Sequence, residues 1–203
     1  GVVSREFLTQ NIYNKIKFLE GFDKEIIVFI DEHEKVPQET VDYLRSIVDC
    51  LVIRRHTDEN KFNDQNYLSA LSLARGEIIM HFDQDVSAFT ESKGPIENMI
   101  KMLDHYDYIS YPSNWSPNAV HDPNYDYMWA STRFFMCKLE TLNFTEIKYC
   151  LFNSDYLYSR YPASVRNPWT EHILGLIAKY EGKGVYYPPI DLNNYSIFTW
   201  GNY

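Results

Sequence analysis

Long apolar runs are missing from this 203-residue chain. No stretch approaches the roughly 20 residues a membrane-spanning helix needs, so no integral membrane segment is expected. Basic residues are in deficit, 19 Lys and Arg against 28 Asp and Glu, for a formal net charge of −9. Bulk electrostatics therefore work against nucleic acid or an anionic membrane as partner. Cysteine is scarce: Cys50, Cys137 and Cys150 are odd in number and lack metal-ligand or redox spacing. That excludes a disulfide framework and favours free thiols in a reducing compartment. No secretory leader is legible, so the expected location is cytoplasmic. Internal repeats and low-complexity tracts are missing too, which excludes solenoids and disordered tails.

What is present describes a globular chain, 45% hydrophobic and 23% charged, long enough for a sizeable core in one domain. Tyrosine stands out, 17 of them and most beyond residue 106. Each can be ordinary core or surface tyrosine. As a group they would also suit a flat polar ligand such as a sugar, since the ring is apolar and the hydroxyl is not.

The first half alternates strand and helix signals. "EIIVFI" (25–30) is a continuous apolar run fit for a strand buried on both faces, and it ends in Asp31. "PQETVDYLRSIV" puts Pro37 at a helix start and Val41, Leu44, Ile47 and Val48 on one face. "CLVIRR" (50–55) reads as a second strand. In "QNYLSALSLAR", Leu68, Leu71 and Ala74 line a helix that Gly76 is placed to stop. A third strand, Ile78 to Phe82, runs into Asp83 and Asp85. This β-α-β-α-β order predicts a parallel sheet covered by helices, with ligands outside the carboxyl ends of its strands. Beyond about residue 112 the Pro-, Asn- and aromatic-rich "YPSNWSPNAVHDPNYDYMWAS" reads as long loops. A last helix is expected from Asn167 and Pro168, with Ile173, Leu174, Ile177 and Tyr180 on one face. "VYYPP" then reads as an edge strand stopped by prolines.

Two acids separated by one residue repel each other unless something binds them. A hard divalent cation, Mn2+ or Mg2+, accepts oxygen ligands and bridges phosphates. Asp-x-Asp alone is a weak signal. Behind a buried strand of an α/β sheet it gains weight.

The stretch "DQNYLSALSLARGEIIMHFDQD" closely resembles the approach to the Asp-x-Asp motif in GT-A fold glycosyltransferases, in particular the large inverting family numbered two. "IIVFIDEH" resembles that family's earlier strand, and "NPWTEHILGLIAKYEGKGVYYPP" its later helix and proline-ended strand. Together they span roughly residues 23–190. The resemblance implies an α/β, Rossmann-like GT-A fold, a parallel or mixed sheet flanked by helices in three α/β/α layers. Residues 1–111 would form the nucleotide-sugar-binding half and 112–203 the acceptor-binding half of a single domain. The implied activity is metal-dependent, inverting transfer of a sugar from a nucleoside-diphosphate-sugar donor to a hydroxyl on a glycan or similar acceptor. Asp31 would contact the nucleotide base, with Asn66 and the basic Lys61 near the donor. Asp83 would lie near the ribose or the metal, Asp85 would hold the metal, and Trp169 would stack on a sugar ring. The family's Glu-Asp pair, whose aspartate serves as general base, is Glu171-His172 here. Glu171 is the favoured base and His172 the second candidate, because a helix N-terminus opposes a charged histidine.

Two other functions fit parts of the sequence. The family's first strand is reduced here to Val2-Val3 before a helix-like stretch, and the base pair is altered. Both would suit a degenerate module that binds nucleotide or glycan without turnover. A haloacid-dehalogenase-type phosphohydrolase also places Asp-x-Asp after an apolar strand. There, however, the motif stands at the first strand, whereas two strand-helix units precede Asp83.

Overall fold

The computed structural model describes residues 5–32, 37–55, 68–82, 86–88, 94–110, 134–161, 170–188 and 198–200. The chain divides into two compact units, residues 1–76 and 77–203.

In the first unit, α1 (Arg5–Phe18) precedes β1 (Ile27–Glu32), α2 (Gln38–Ile47) and β2 (Cys50–Arg55). β1 and β2 pair in parallel, Ile27 opposite Cys50 through Glu32 opposite Arg55. Pro37 sits at the N-cap of α2, where its missing N–H costs nothing. Val41 and Leu44 bury the inner face of that helix. Two carboxylates tie the amino ends of the strands. Ile26 N–H donates to Asp49 Oδ2 at 2.7 Å, and Glu25 accepts from the Arg75 backbone and guanidinium. The apolar run at 25–30 thus starts its strand two residues late, because Glu25 and Ile26 are used as ties. The later helix also ends early. Leu68 and Leu71 are buried as expected, but the helix stops by residue 71 in a turn at Ser72-Leu73, five residues before Gly76.

The second unit holds a four-stranded mixed sheet in the order β3-β6-β5-β7, made of β3 (Ile78–Phe82), β5 (Tyr108–Ser110), β6 (Phe134–Lys138) and β7 (Val185–Tyr186). The described partner of β3 is β6, antiparallel, so the simple three-strand parallel series expected from residues 25–82 is not what the pairings record. The reason is a strand the loop-like texture concealed. "FFMCK" at 134–138 buries four successive residues completely, as a strand covered on both faces does. Burying Phe134, Phe135 and Met136 contributes about 1.5–3 kcal/mol each, which makes β6 the axis of the core.

Around this sheet lie α3 (Gly94–Met102), α4 (Phe144–Phe152), α5 (Ser154–Arg160) and α6 (Thr170–Glu181). Asn143 caps α4 by accepting from Glu146 N–H, and Asn153 caps α5 by accepting from Tyr156 N–H. Much of the region read as loop after residue 112 is therefore helix and strand from 134 onward. A short ribbon joins β4 (Val86–Ala88) to β8 (Phe198–Trp200), antiparallel. The mixed α/β architecture, with parallel and mixed sheets flanked by helices, agrees with the expected Rossmann-like class.

Candidate functional site

The register of the four-stranded sheet defines one rim. β3, β5 and β7 run in one direction and β6 in the other. The carboxyl ends Phe82, Ser110 and Tyr186 therefore lie at the same edge as Phe134, the amino end of β6. The chain leaves the sheet there at Phe82, directly before Asp83-Gln84-Asp85. Residues 110 and 134, which bound the long 111–133 segment, stand on the same edge. Ser110 Oγ donates to the Phe134 carbonyl at 3.1 Å and fastens these two anchors together. Ring contacts of Phe82 with Phe134 (5.3 Å between centroids) and of His81 with Phe135 (5.5 Å) stiffen the last turn of β3.

The carboxyl end of α6 is locked at the opposite edge of the sheet. Asp107, immediately before β5, accepts from the backbone N–H groups of Lys183 and Gly184, the latter at 3.1 Å, through the single oxygen Oδ2. Gly184 has φ of 90°, a left-handed conformation that glycine adopts without a Cβ penalty. The three-residue connection at 182–184 turns the chain back into β7, against which α6 packs. The first turn of α6 carries Thr170, Glu171 and His172.

A second tie holds the same helix end. Arg160 Nε lies 2.6 Å from Glu181 Oε1, and the Tyr161 hydroxyl donates to that oxygen at 2.8 Å. Glu146 accepts from Tyr156 at 3.0 Å and Tyr161 at 3.4 Å, linking α4, α5 and α6. Glu181 raises the Arg160 pKa, and burial pushes the Tyr161 phenol up. The Cys150 thiol, buried beside Glu146, is pushed up to about 12 and is inert at neutral pH.

Within the first turn of α6 the environments differ. Glu171 is half-buried. His172 is 7% exposed, and burial lowers its pKa to about 4, so the imidazole is neutral at physiological pH. Ile173, Leu174, Leu176 and Ala178 are buried and Ile177 half-buried, whereas Tyr180 is 42% exposed rather than part of the inward stripe. The helix is buried nearly all round until its last turn.

The remaining expected positions distribute as follows. Asp31 lies at the carboxyl end of β1, in register with Arg54 of β2. Lys61, Asn66, Asp83, Asp85 and Trp169 lie outside the described residues. Among the described residues no cluster of three or more His, Cys, Asp or Glu side chains could hold a metal. The donor chemistry of Asp83 and Asp85, two carboxylates one residue apart beyond a sheet rim, fits a hard divalent cation. No residue pattern announces β8, whose Trp200 stands opposite Val86, the residue after Asp85. Its three strand residues are too few for periodicity to register.

The mixed α/β architecture, with sheets flanked by helices, is that of a glycosyltransferase-like fold, and the likeness to solved structures is one of fold. Three chains among solved structures match. One is a mannosyltransferase, PcManGT from Pyrobaculum calidifontis, in complex with GDP-Man and Mn2+, with a TM-score of 0.55 and 12% sequence identity. The alignment covers 96% of this chain and 56% of that one, so this chain spans little more than half the neighbour's length. No protein-family model and no curated protein sequence matches this chain. Among the described residues, no helix is long and apolar enough to cross a membrane.

Proposed function

We propose that this chain is an inverting glycosyltransferase that moves a sugar from a nucleoside-diphosphate-sugar donor to a hydroxyl acceptor, with a divalent cation at Asp83 and Asp85. What supports this is a glycosyltransferase-like fold in which Asp83-Gln84-Asp85 directly follow β3 in sequence and Glu171 lies in the first turn of α6. The fold neighbour, whose description names GDP-Man and Mn2+, supports a nucleotide-sugar donor and a divalent metal.

Each role follows from local chemistry. Asp83 and Asp85 hold the cation, which when bound supplies charge neutralisation for the departing nucleoside diphosphate. Asp31, at the end of β1, takes the base of the nucleotide. Lys61 and Asn66 serve the donor phosphates and ribose. Glu171 accepts the acceptor's proton. Its half-burial leaves it reachable, while His172 is nearly sealed. Trp169, next to Glu171 in sequence, offers a ring face to the acceptor sugar. On this reading residues 1–111 serve the donor and 112–203 the acceptor.

The test is calorimetric titration of the whole chain with UDP, GDP, dTDP and CDP, with and without Mn2+, beside Asp85→Ala. Metal-dependent binding of one nucleotide, lost in the variant, is the expected result. No nucleotide binding with or without metal would overturn the proposal.

A further inference from the structure

Among the described residues, the large hydrophobic side chains left exposed are Tyr13, Tyr43, Leu73, Tyr149, Phe152 and Tyr180. Half of them, Tyr149, Phe152 and Tyr180, fall on α4 and α6, which pack against each other in the second unit. They are 51%, 52% and 42% exposed. Tyr149 and Phe152 are three residues apart, on one face of α4. Tyr149 meets Tyr156 of α5 at 4.6 Å between centroids and 76° between ring planes, so the two rings form a corner. The Arg160 guanidinium carbon stands 5.9 Å from the Tyr156 centroid and 5.7 Å from that of Tyr161, and the Tyr161 and Tyr180 rings are 6.1 Å apart. A file of rings interrupted by one guanidinium thus crosses three helices and is exposed at both ends.

Hydrogen bonds hold this file in place. Asn153 Nδ2 donates to the Tyr149 hydroxyl at 3.3 Å, and Arg160 Nη1 donates to the Tyr156 hydroxyl at 2.8 Å. Rings fixed in advance bind a ligand with little loss of rotamer freedom. The charged groups that touch the rings or their hydroxyls balance, Glu146 and Glu181 against Arg160 and Lys179, which favours a neutral ligand. Size favours a small one. Three half-exposed aromatic side chains offer roughly 300 Å2, against the roughly 800 Å2 per partner of a stable protein interface. A sugar ring has an apolar C–H face and a hydroxyl edge. It matches a flat ring face flanked by an amide, a guanidinium and phenol hydroxyls.

We propose that this patch is a second glycan-binding site, where a sugar ring of a neutral oligosaccharide stacks on Tyr149 beside Phe152, with Tyr180 at the other end of the file. Tyr180 lies nine residues beyond Glu171, about 14 Å along α6, so the patch is separate from the position proposed for transfer. The choice of a sugar over other neutral ligands rests in part on the glycosyltransferase reading.

The experiment titrates the whole chain by calorimetry with maltohexaose, cellohexaose, mannohexaose and chitohexaose, beside Tyr149→Ala, Tyr149→Phe and Phe152→Ala. Nucleotide affinity and the thermal unfolding midpoint are measured on the same proteins. One of the oligosaccharides is expected to bind. Tyr149→Ala should weaken that binding about tenfold or more, with nucleotide affinity held within about twofold and the midpoint unchanged. Tyr149→Phe, which keeps the ring face, should stay within about threefold, and Phe152→Ala should weaken binding as Tyr149→Ala does. No binding of any of the four overturns the inference. So does binding that survives both alanine variants, which places the glycan elsewhere. Self-association in sedimentation, or adsorption to phosphatidylcholine vesicles, that Tyr149→Ala abolishes would assign the patch to a second copy or to lipid and overturn it as well. Oligosaccharide binding through Tyr149 in a protein that binds no nucleotide would overturn the glycosyltransferase reading and leave this site standing.

Discussion

Replacing Gly182 with alanine tests the lock that aims α6. A Cβ at this position would stand 2.0 Å from Asp107 Oδ2, 2.8 Å from its Cγ and 3.2 Å from the Ala178 carbonyl oxygen. The carboxylate must withdraw. In doing so it loosens its hydrogen bonds from the Lys183 and Gly184 backbone N–H groups. Each such charge-assisted bond contributes about 1.5–3 kcal/mol when well shielded, and about half of that at this partly exposed helix end. Alanine returns roughly 0.4–1 kcal/mol by restricting the unfolded chain. The net expectation is a loss of about 0.5–2.6 kcal/mol, or a fall in the midpoint of about 1–10 °C for a chain of this size. Urea denaturation followed by circular dichroism measures it, with Asp107→Ala and the double variant closing a cycle. In the Asp107→Ala background Gly182→Ala should cost almost nothing, since the atom it collides with is gone. A single Gly182→Ala within about 0.5 kcal/mol of the unaltered protein, or full additivity in the cycle, would refute the lock.

Two further outcomes bear on the same helix. Glu171→Gln should keep nucleotide affinity while slowing transfer at least about 100-fold, the scale of a lost general base; stopped-assay kinetics beside calorimetry would expose a normal rate and so a wrong base. His172 has a folded pKa of about 4, below its unfolded value near 6.5, so the unfolded state takes up the proton first as pH falls. Its contribution is complete above pH 6.5 and is lost progressively between 6.5 and 4, up to about 3 kcal/mol. Denaturation midpoints at pH 7 and pH 4.5 should diverge less in His172→Gln than in the unaltered protein, and equal divergence would sink the assignment of that window to His172.

The helix and strand pattern of residues 37–55 and 78–82 was legible because one face, or both, is apolar over a full element. Cys50–Arg55 and Ile78–Phe82 fall where the residues alone place them. α6 was legible as a helix, but its inner face was not. Tyr180 shares the spacing of the apolar stripe, yet lies at the helix end where Tyr161 packs beside it and solvent takes the rest. The region 134–161 was misjudged. Asn143 and Asn153 read as loop residues, and only the structure turns them into helix caps.

Local pattern thus determined what could be decided within one strand or helix: apolar runs, acids at their ends, and the order of elements. Pairing was beyond it. Whether β3 meets another parallel strand or the antiparallel β6 depends on which buried surfaces fit across more than 50 residues of chain. The same holds for the exposed rings of Tyr149, Phe152 and Tyr180, which in sequence are three more aromatics on helices. Their falling on adjoining helices is a property of how α4 and α6 pack, and only the folded chain decides that.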